Sequence, residues 1–294
     1  MSARVGVLDS ALARQMRRSS RLRPLGIAAY RLADRMMPAG DAPPVVANSM
    51  PKSGTHLLAG LLTALPRMRF NGRYAAYDYN FIAPHANSSE DRLGNLERQL
   101  KKLRRGHFMG AHVVHERRVE DLVRDSGATM VTILRDPRAV VVSGANYVID
   151  AEHMPGRELA LSLFTTHEQL MTAMVRGHGE PGDELWFPDI GRRFAAYAAW
   201  LDSAVGVTVT FEDLVGARGG GSDERQLAMV SGLLEHLGYR DIAPDELARQ
   251  LFSEQAATFR KGTIDSWRDE LPPELATEVE ELCAPVMHRL GLLG

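Results

Sequence analysis

A single cysteine, Cys283, stands in 294 residues, so neither an internal disulfide framework nor a cysteine-rich zinc site can form. A reducing, cytoplasmic compartment is the expectation that follows. Aromatic residues are sparse, at 6%. No stretch of the chain approaches the roughly 18–20 apolar residues that cross a bilayer. Net charge is almost absent, because Lys+Arg 35 against Asp+Glu 37 leaves −2. That removes the broad basic field of a nucleic-acid binder. The N-terminus lacks a long uncharged apolar core and a small-residue cleavage site, so no signal peptide is expected. What remains is 45% hydrophobic and 24% charged residues, the proportions of a soluble globular chain rather than a disordered or fibrous one.

The charge is unevenly spread. Residues 1–40 carry eight arginines and two acids, a net of +6, which leaves −8 for the remaining 254. Pro24 can open a helix, and Leu25, Ala29, Leu32 and Met36 then form one apolar stripe on a basic helix. Segment 1–40 is read as a separate basic helical unit. It is suited to docking on the main domain or to weak peripheral contact with an anionic membrane surface. Gly40 to Pro44 reads as a linker, and 45–294 as the main domain.

In that domain, strand patterns at Val45–Ala47, Phe108–Val113, Met130–Leu134 and Val205–Phe211 alternate with helical patterns. The helical patterns lie near 56–65, 90–104, 116–125, 137–149, 158–175, 190–203 and 273–290. The alternation predicts an α/β fold, a three-layer sandwich with a mostly parallel central sheet. Gly216 to Ser222 (GARGGGS) reads as a flexible surface loop.

Three segments suit anions. MPKSGTHLL (50–58) follows a strand and opens a helix. Its backbone N–H groups can therefore face an anionic phosphate, with Gly54 allowing close approach. Lys52 adds charge, and Ser53 and Thr55 add hydroxyls. A nucleoside-triphosphatase loop would place lysine after a second glycine; here Lys52 precedes Gly54 and no glycine stands upstream, which disfavours a Mg·ATP-using kinase. LRDPRAVVVSGANYV (134–148) places Arg135 at a strand end and Ser143 nearly two helical turns on, where the two could clamp a second phosphate. FRKGTIDSWR (259–268) holds Arg260, Lys261 and Gly262. Three such sites suggest one ligand with phosphates at both ends.

In order and approximate spacing, PKSGTHLL, RDPRAVVVS and RKGTIDSW resemble the three signatures of the PAPS-dependent sulfotransferases, whose donor is 3′-phosphoadenylyl sulfate. The likeness runs from about residue 45 to the C-terminus. It implies that Lys52, Ser53, Gly54, Thr55 and His56 hold the 5′ phosphosulfate, making the first segment a P-loop-like 5′-phosphosulfate-binding loop. It further implies that Arg135, Ser143, Arg260, Lys261 and Gly262 hold the 3′ phosphate. TFEDL (210–214) is similar to the family's Y-E-D-L, with Phe211 in the tyrosine's place near the adenine. The chain departs from the pattern at His56 (threonine), Leu57 (tryptophan) and Asp265 (glycine).

Sulfuryl transfer needs a base for the acceptor proton and a cation for the leaving oxygen. Lys52 can be the cation, and histidine is the natural base. His112, in FMGAHVVHER (108–117), falls at the C-terminal end of a predicted strand, where open α/β sheets place ligands. The family's K-T-H segment aligns there, with Gly110 at the lysine. His115 is a rival. H-x-x-H-E (112–116) lacks the order of a metalloprotease site, and the resemblance implies no metal.

The expected acceptor is a hydroxyl, less often an amine, of a small molecule, lipid or sugar, with PAP as the second product. Acceptor contacts are expected within 70–95 (Phe70, Tyr74, Tyr77, Tyr79, Phe81) and 146–190 (Tyr147, Phe164, Met171, Met174, Trp186, Phe187). Two alternatives stand beside this reading: a kinase-like phosphotransferase, and a peripheral membrane-binding nucleotide module. The oligomeric state is open.

Overall fold

A strand buried on both faces reads as an unbroken apolar run, and Val45–Ser49 (β1) is buried throughout. Val45 and Ala47 enter one core layer while Val46 enters the other. Later in the chain come β2 (Arg69–Tyr77), β3 (His107–Val113), β4 (Thr129–Leu134) and β5 (Gly206–Thr210). The sheet order is β2-β3-β1-β4-β5, and every neighbouring pair is parallel. This computed structural model describes residues 40–78, 89–152, 154, 156–251 and 263–293. The expectations placed on the basic segment up to residue 39, on Tyr79 and Phe81, and on Arg260, Lys261 and Gly262 lie outside the described residues.

The helices are α1 (Thr55–Ala64), α2 (Ser89–Leu100), α3 (Arg117–Asp125), α4 (Pro137–Asp150), α5 (Arg157–Leu163), α6 (His167–Arg176), α7 (Ile190–Ala198), α8 (Phe211–Leu214), α9 (Asp223–His236), α10 (Pro244–Leu251) and α11 (Pro273–Arg289). Leu58, Leu61 and Leu62 of α1 recur at helical spacing and are at most 1% exposed. With Val230 and Leu233 of α9 and Leu247 of α10 they cover one face of the sheet. Leu96, Val119, Val140, Leu170, Phe194 and Val279, from α2, α3, α4, α6, α7 and α11, cover the other. Each such aliphatic burial contributes about 1.5–3 kcal/mol. The three-layer arrangement is the expected one, and the sheet is parallel throughout.

Several local expectations are corrected. The helix expected over 158–175 is two, α5 and α6, because Thr166 caps a new start: its hydroxyl accepts from the Gln169 amide and the Gln169 side chain reaches back, a capping box. Gly216 to Ser222 is a tight turn rather than a flexible loop. The amides of Gly219 and Gly221 donate to the Gly216 carbonyl at 3.1 and 2.8 Å. The Gly219 carbonyl accepts from Ile264 at 3.0 Å, which ties the turn to the segment after Gly262. Gly40 to Pro44, read as a linker, is hydrogen-bonded at the starts of β3 and β4, with the Ala42 and Pro44 carbonyls accepting from Gly106 (2.9 Å) and Thr129 (2.8 Å). The strand expected to reach Phe211 stops at Thr210, whose hydroxyl caps α8. Among the described residues, no helix is long and apolar enough to cross a membrane.

Candidate active site

Parallel strands deliver all their C-terminal ends to one edge, where ligands of open α/β sheets sit. From β1 the chain turns through Met50–Ser53, closed by Ser53 N–H donating to the Met50 carbonyl at 3.1 Å. Pro51 and Lys52 are its central residues, and Lys52 adopts φ 74, where glycine would be the relaxed choice. Gly54 follows at φ 106 and caps α1. A β-carbon on Gly54 would come within 2.9 Å of the Phe211 ring. The first turn of α1 carries no acid, so the positive end of the helix is left for an anion. Ser53 is 0% exposed and its Oγ is a buried orphan among the described residues. Thr55 Oγ1 meets Ser49 Oγ at 2.7 Å, and His56 is exposed beside it. This donor set suits a phosphate-like group.

After β4, the two arginines of RDPR divide the work. Arg138 is buried in an ion pair with Asp136, reaches Glu280, and lies 4.2 Å over the Trp267 ring. Arg135 lies 4.2 Å over the Phe211 ring, and its Nε is buried with no hydrogen-bond partner among the described residues. Burial depresses its basicity, and Glu212 and Asp136 partly restore it. A half-buried guanidinium with its Nε unpaired suits an anion. The Phe211 ring therefore packs both the Gly54 loop and Arg135. Ser143 lies half-buried on α4, next to Gly144, which lines the cleft at Lys52.

His112 ends β3. Its Nδ1 lies 2.6 Å from the Ser49 main-chain carbonyl and 3.2 Å from Ser49 Oγ. A carbonyl only accepts, so Nδ1 carries the hydrogen and, in the neutral ring, Nε2 keeps the lone pair. Burial lowers the His112 pKa below its usual range; Asp78 and the Ser49 carbonyl oppose that, and Lys52 adds to it. Asn48 locks this strand end in place. Its amide donates to the Val113 carbonyl (3.0 Å) and to Thr132 (3.2 Å), and its Oδ1 accepts from the Val113 amide (2.8 Å). His115 is committed elsewhere: Nε2 bonds Glu120 at 2.8 Å and the ring stands edge-on to Trp200.

Beside the loop, Lys52 Nζ rests 4.1 Å over the Tyr147 ring. A narrow cleft, partly open to solvent, adjoins Lys52. Met50, Val140, Val141 and Met174 give it apolar walls, and Asp78, Arg193 and Tyr197 a polar end. Tyr74 stands edge-on to His112 at 5.1 Å. It also crosses Gly110, where a β-carbon would meet its ring at 2.5 Å. The lysine of the resembled pattern is thus replaced by space that the tyrosine fills.

No protein-family model matches the sequence, and no curated protein matches it. Solved structures do match. Mouse sulfotransferase SULT7A1, complexed with PAP, superposes with a TM-score of 0.54 at 16% identity, over 84% of this chain and 85% of that one. The chain has the sulfotransferase fold. Retinol dehydratase in a complex with retinol and PAP gives 0.49 at 15% identity over 88% and 86%. A putative steroid sulphotransferase of Arabidopsis thaliana gives 0.49 at 17% over 92% and 85%.

Within this sulfotransferase fold, several residues of the strand-end edge escape a reading of motifs: Asn48, Ser49, Asp78, Arg193 and Glu212. Buried polar residues closing the otherwise apolar VVANS were the available signal for the first two. Of the expected acceptor residues, Tyr74 and Tyr147 lie at the site and Met174 lines the cleft. Met171 and Phe187 are core, at 3% and 2% exposed. Tyr77 bonds Glu116, and Phe164 packs on His178.

Glu212 gives a stability prediction. Burial raises its carboxyl from 4.5 to about 7, although the Asp136 amide donates to Oε1 at 3.0 Å. The folded chain therefore holds this proton more tightly than the unfolded one. Its contribution is full below pH 4.5 and is lost as pH rises to about 7. Glu212→Gln escapes that loss, so relative to the parent it gains on the order of 2–3 kcal/mol between acid and mildly alkaline conditions. Urea midpoints at either end of that range measure it, and an identical difference at both ends contradicts it.

Proposed function

We propose that this chain is a PAPS-dependent sulfotransferase acting on a hydroxyl of a small molecule. The observation that carries the reading is the convergence at one strand-end edge of the Ser53 orphan hydroxyl, the Arg135 guanidinium on Phe211, and His112 with its hydrogen fixed on Nδ1. Lys52, Ser53, Gly54, Thr55 and His56 would hold the 5′ end of the donor. Arg135 and Ser143, with Arg260, Lys261 and Gly262, would hold the 3′ phosphate. When bound, PAPS supplies a sulfonate on a phosphoric anhydride and departs as PAP.

The chain's own residues account for the rest. His112 Nε2 takes the proton of the acceptor hydroxyl as the new S–O bond forms. Lys52 supplies positive charge beside the oxygen that keeps the electron pair of the broken S–O bond. The apolar walls formed by Met50, Val140, Val141 and Met174 limit the water that can approach the donor and hydrolyse it. The apolar lining of the cleft beside Lys52 supports a small-molecule acceptor.

Titration calorimetry tests this directly. PAP binds without Mg²⁺, and Mg·ATP binds far more weakly. No heat with PAP, or binding only as Mg·ATP, rejects the reading in favour of a phosphotransferase.

A further inference from the structure

Ser49 touches two residues with different tasks. Its fully buried Oγ lies 2.7 Å from Thr55 Oγ1, at the start of α1, and 3.2 Å from His112 Nδ1, at the end of β3. Each hydroxyl has one proton to donate and lone pairs to accept with. Thr55, one of the residues that would hold the 5′ end, must donate to any anion there. It then accepts from Ser49, and Ser49 in turn accepts from His112. The direction of the chain is thus set from the anion end, whereas two hydroxyls alone can run either way.

We propose that Ser49 is a positioning residue that relays occupancy of the phosphate loop to His112. With an anion held by Thr55, Thr55 Oγ1–H points to the anion and Ser49 Oγ–H to Thr55 Oγ1, which turns a Ser49 Oγ lone pair towards the Nδ1–H that the Ser49 carbonyl already accepts at 2.6 Å. The carbonyl keeps the His112 lone pair at Nε2, and the aligned hydroxyl, as a second acceptor for Nδ1–H, supports the positive ring formed when Nε2 takes a proton. This inference rests on the sulfotransferase reading above.

The other groups facing His112 are Asp78, beyond the end of β2, Lys52 from the loop, Tyr74 of β2 and the Ser49 carbonyl. Asp78 and the carbonyl favour the charged ring, and Lys52 opposes it. Ser49→Ala leaves every one of them in place and removes only the hydroxyl.

The test is an NMR titration of the full chain carrying isotope-labelled histidine, with and without PAP. In the parent chain PAP raises the His112 midpoint by about one pH unit, and Nε2 gives the signal of an unprotonated nitrogen on the alkaline side. In Ser49→Ala at least half of that rise is lost and kcat falls while KM for PAPS holds; Ser49→Thr restores both. An equal rise in Ser49→Ala overturns the relay, as does a hydrogen on Nε2 in the parent complex, a readout that needs no variant to fold. PAP that binds with an unchanged rise removes the relay alone. PAP that does not bind removes the relay and the donor reading together.

Discussion

His112→Ala loses turnover by about 10²–10⁴-fold, the usual weight of a general base, while its affinity for PAP stays within about two-fold of the parent. Three facts lead to that expectation. The ring hangs on the Ser49 carbonyl at 2.6 Å, so Nε2 is the nitrogen left to act. Burial holds its pKa down, which favours the neutral ring that can accept a proton. Asn48 fixes the strand end beneath it through Val113. His115→Ala is the matched control: it breaks the Glu120 bond and the Trp200 contact, lowering the melting temperature but not kcat. Single-turnover assays with labelled donor, beside calorimetry, separate the two histidines. Full activity in His112→Ala would falsify its assignment as base.

Arg135→Ala weakens PAP by about 30- to 1,000-fold, as expected when a half-buried guanidinium is taken from a bound anion (about 2–4 kcal/mol). Affinity for adenosine 5′-monophosphate, which has no 3′ phosphate, changes by less than about three-fold. Comparing the two ligands by calorimetry is what gives the result meaning. Equal losses on both would say that Arg135 serves only to hold the Phe211 ring 4.2 Å beneath it. Arg135→Lys recovers little, because an ammonium neither stacks on that ring nor presents a planar fork.

Much of this was legible in the residues, for physical reasons. Strands buried on both faces, such as Val45–Ser49 and Thr129–Leu134, announce themselves as apolar runs. Loop residues Lys52 to Thr55 are legible because a strand, a glycine and a helix start leave backbone donors exposed in only one way. The edge strand β2 was missed. It is only partly buried, and its register with β3 shifts between Phe70 and Tyr74, where Gly72 adopts φ 72, so no regular alternation marks it. α9 and α10 were missed too, lying beyond a glycine-rich stretch that suggests looseness but folds into a bonded turn. The Ser49 bridge and the Glu212 carboxyl join residues 63 and 76 positions from their partners; no local pattern encodes such pairings.

The ring of Phe211 touches the loop glycine on one side and the strand-end guanidinium on the other. If these two elements hold the two ends of one donor, as proposed, donor choice is not modular. A change meant to retune one anionic end of the nucleotide would disturb the other through their common wall. Under the proposed function, reprogramming the chain for a different donor would require altering positions 54, 135 and 211 as a set, whereas the cleft beside Lys52, walled by other side chains, can diverge on its own.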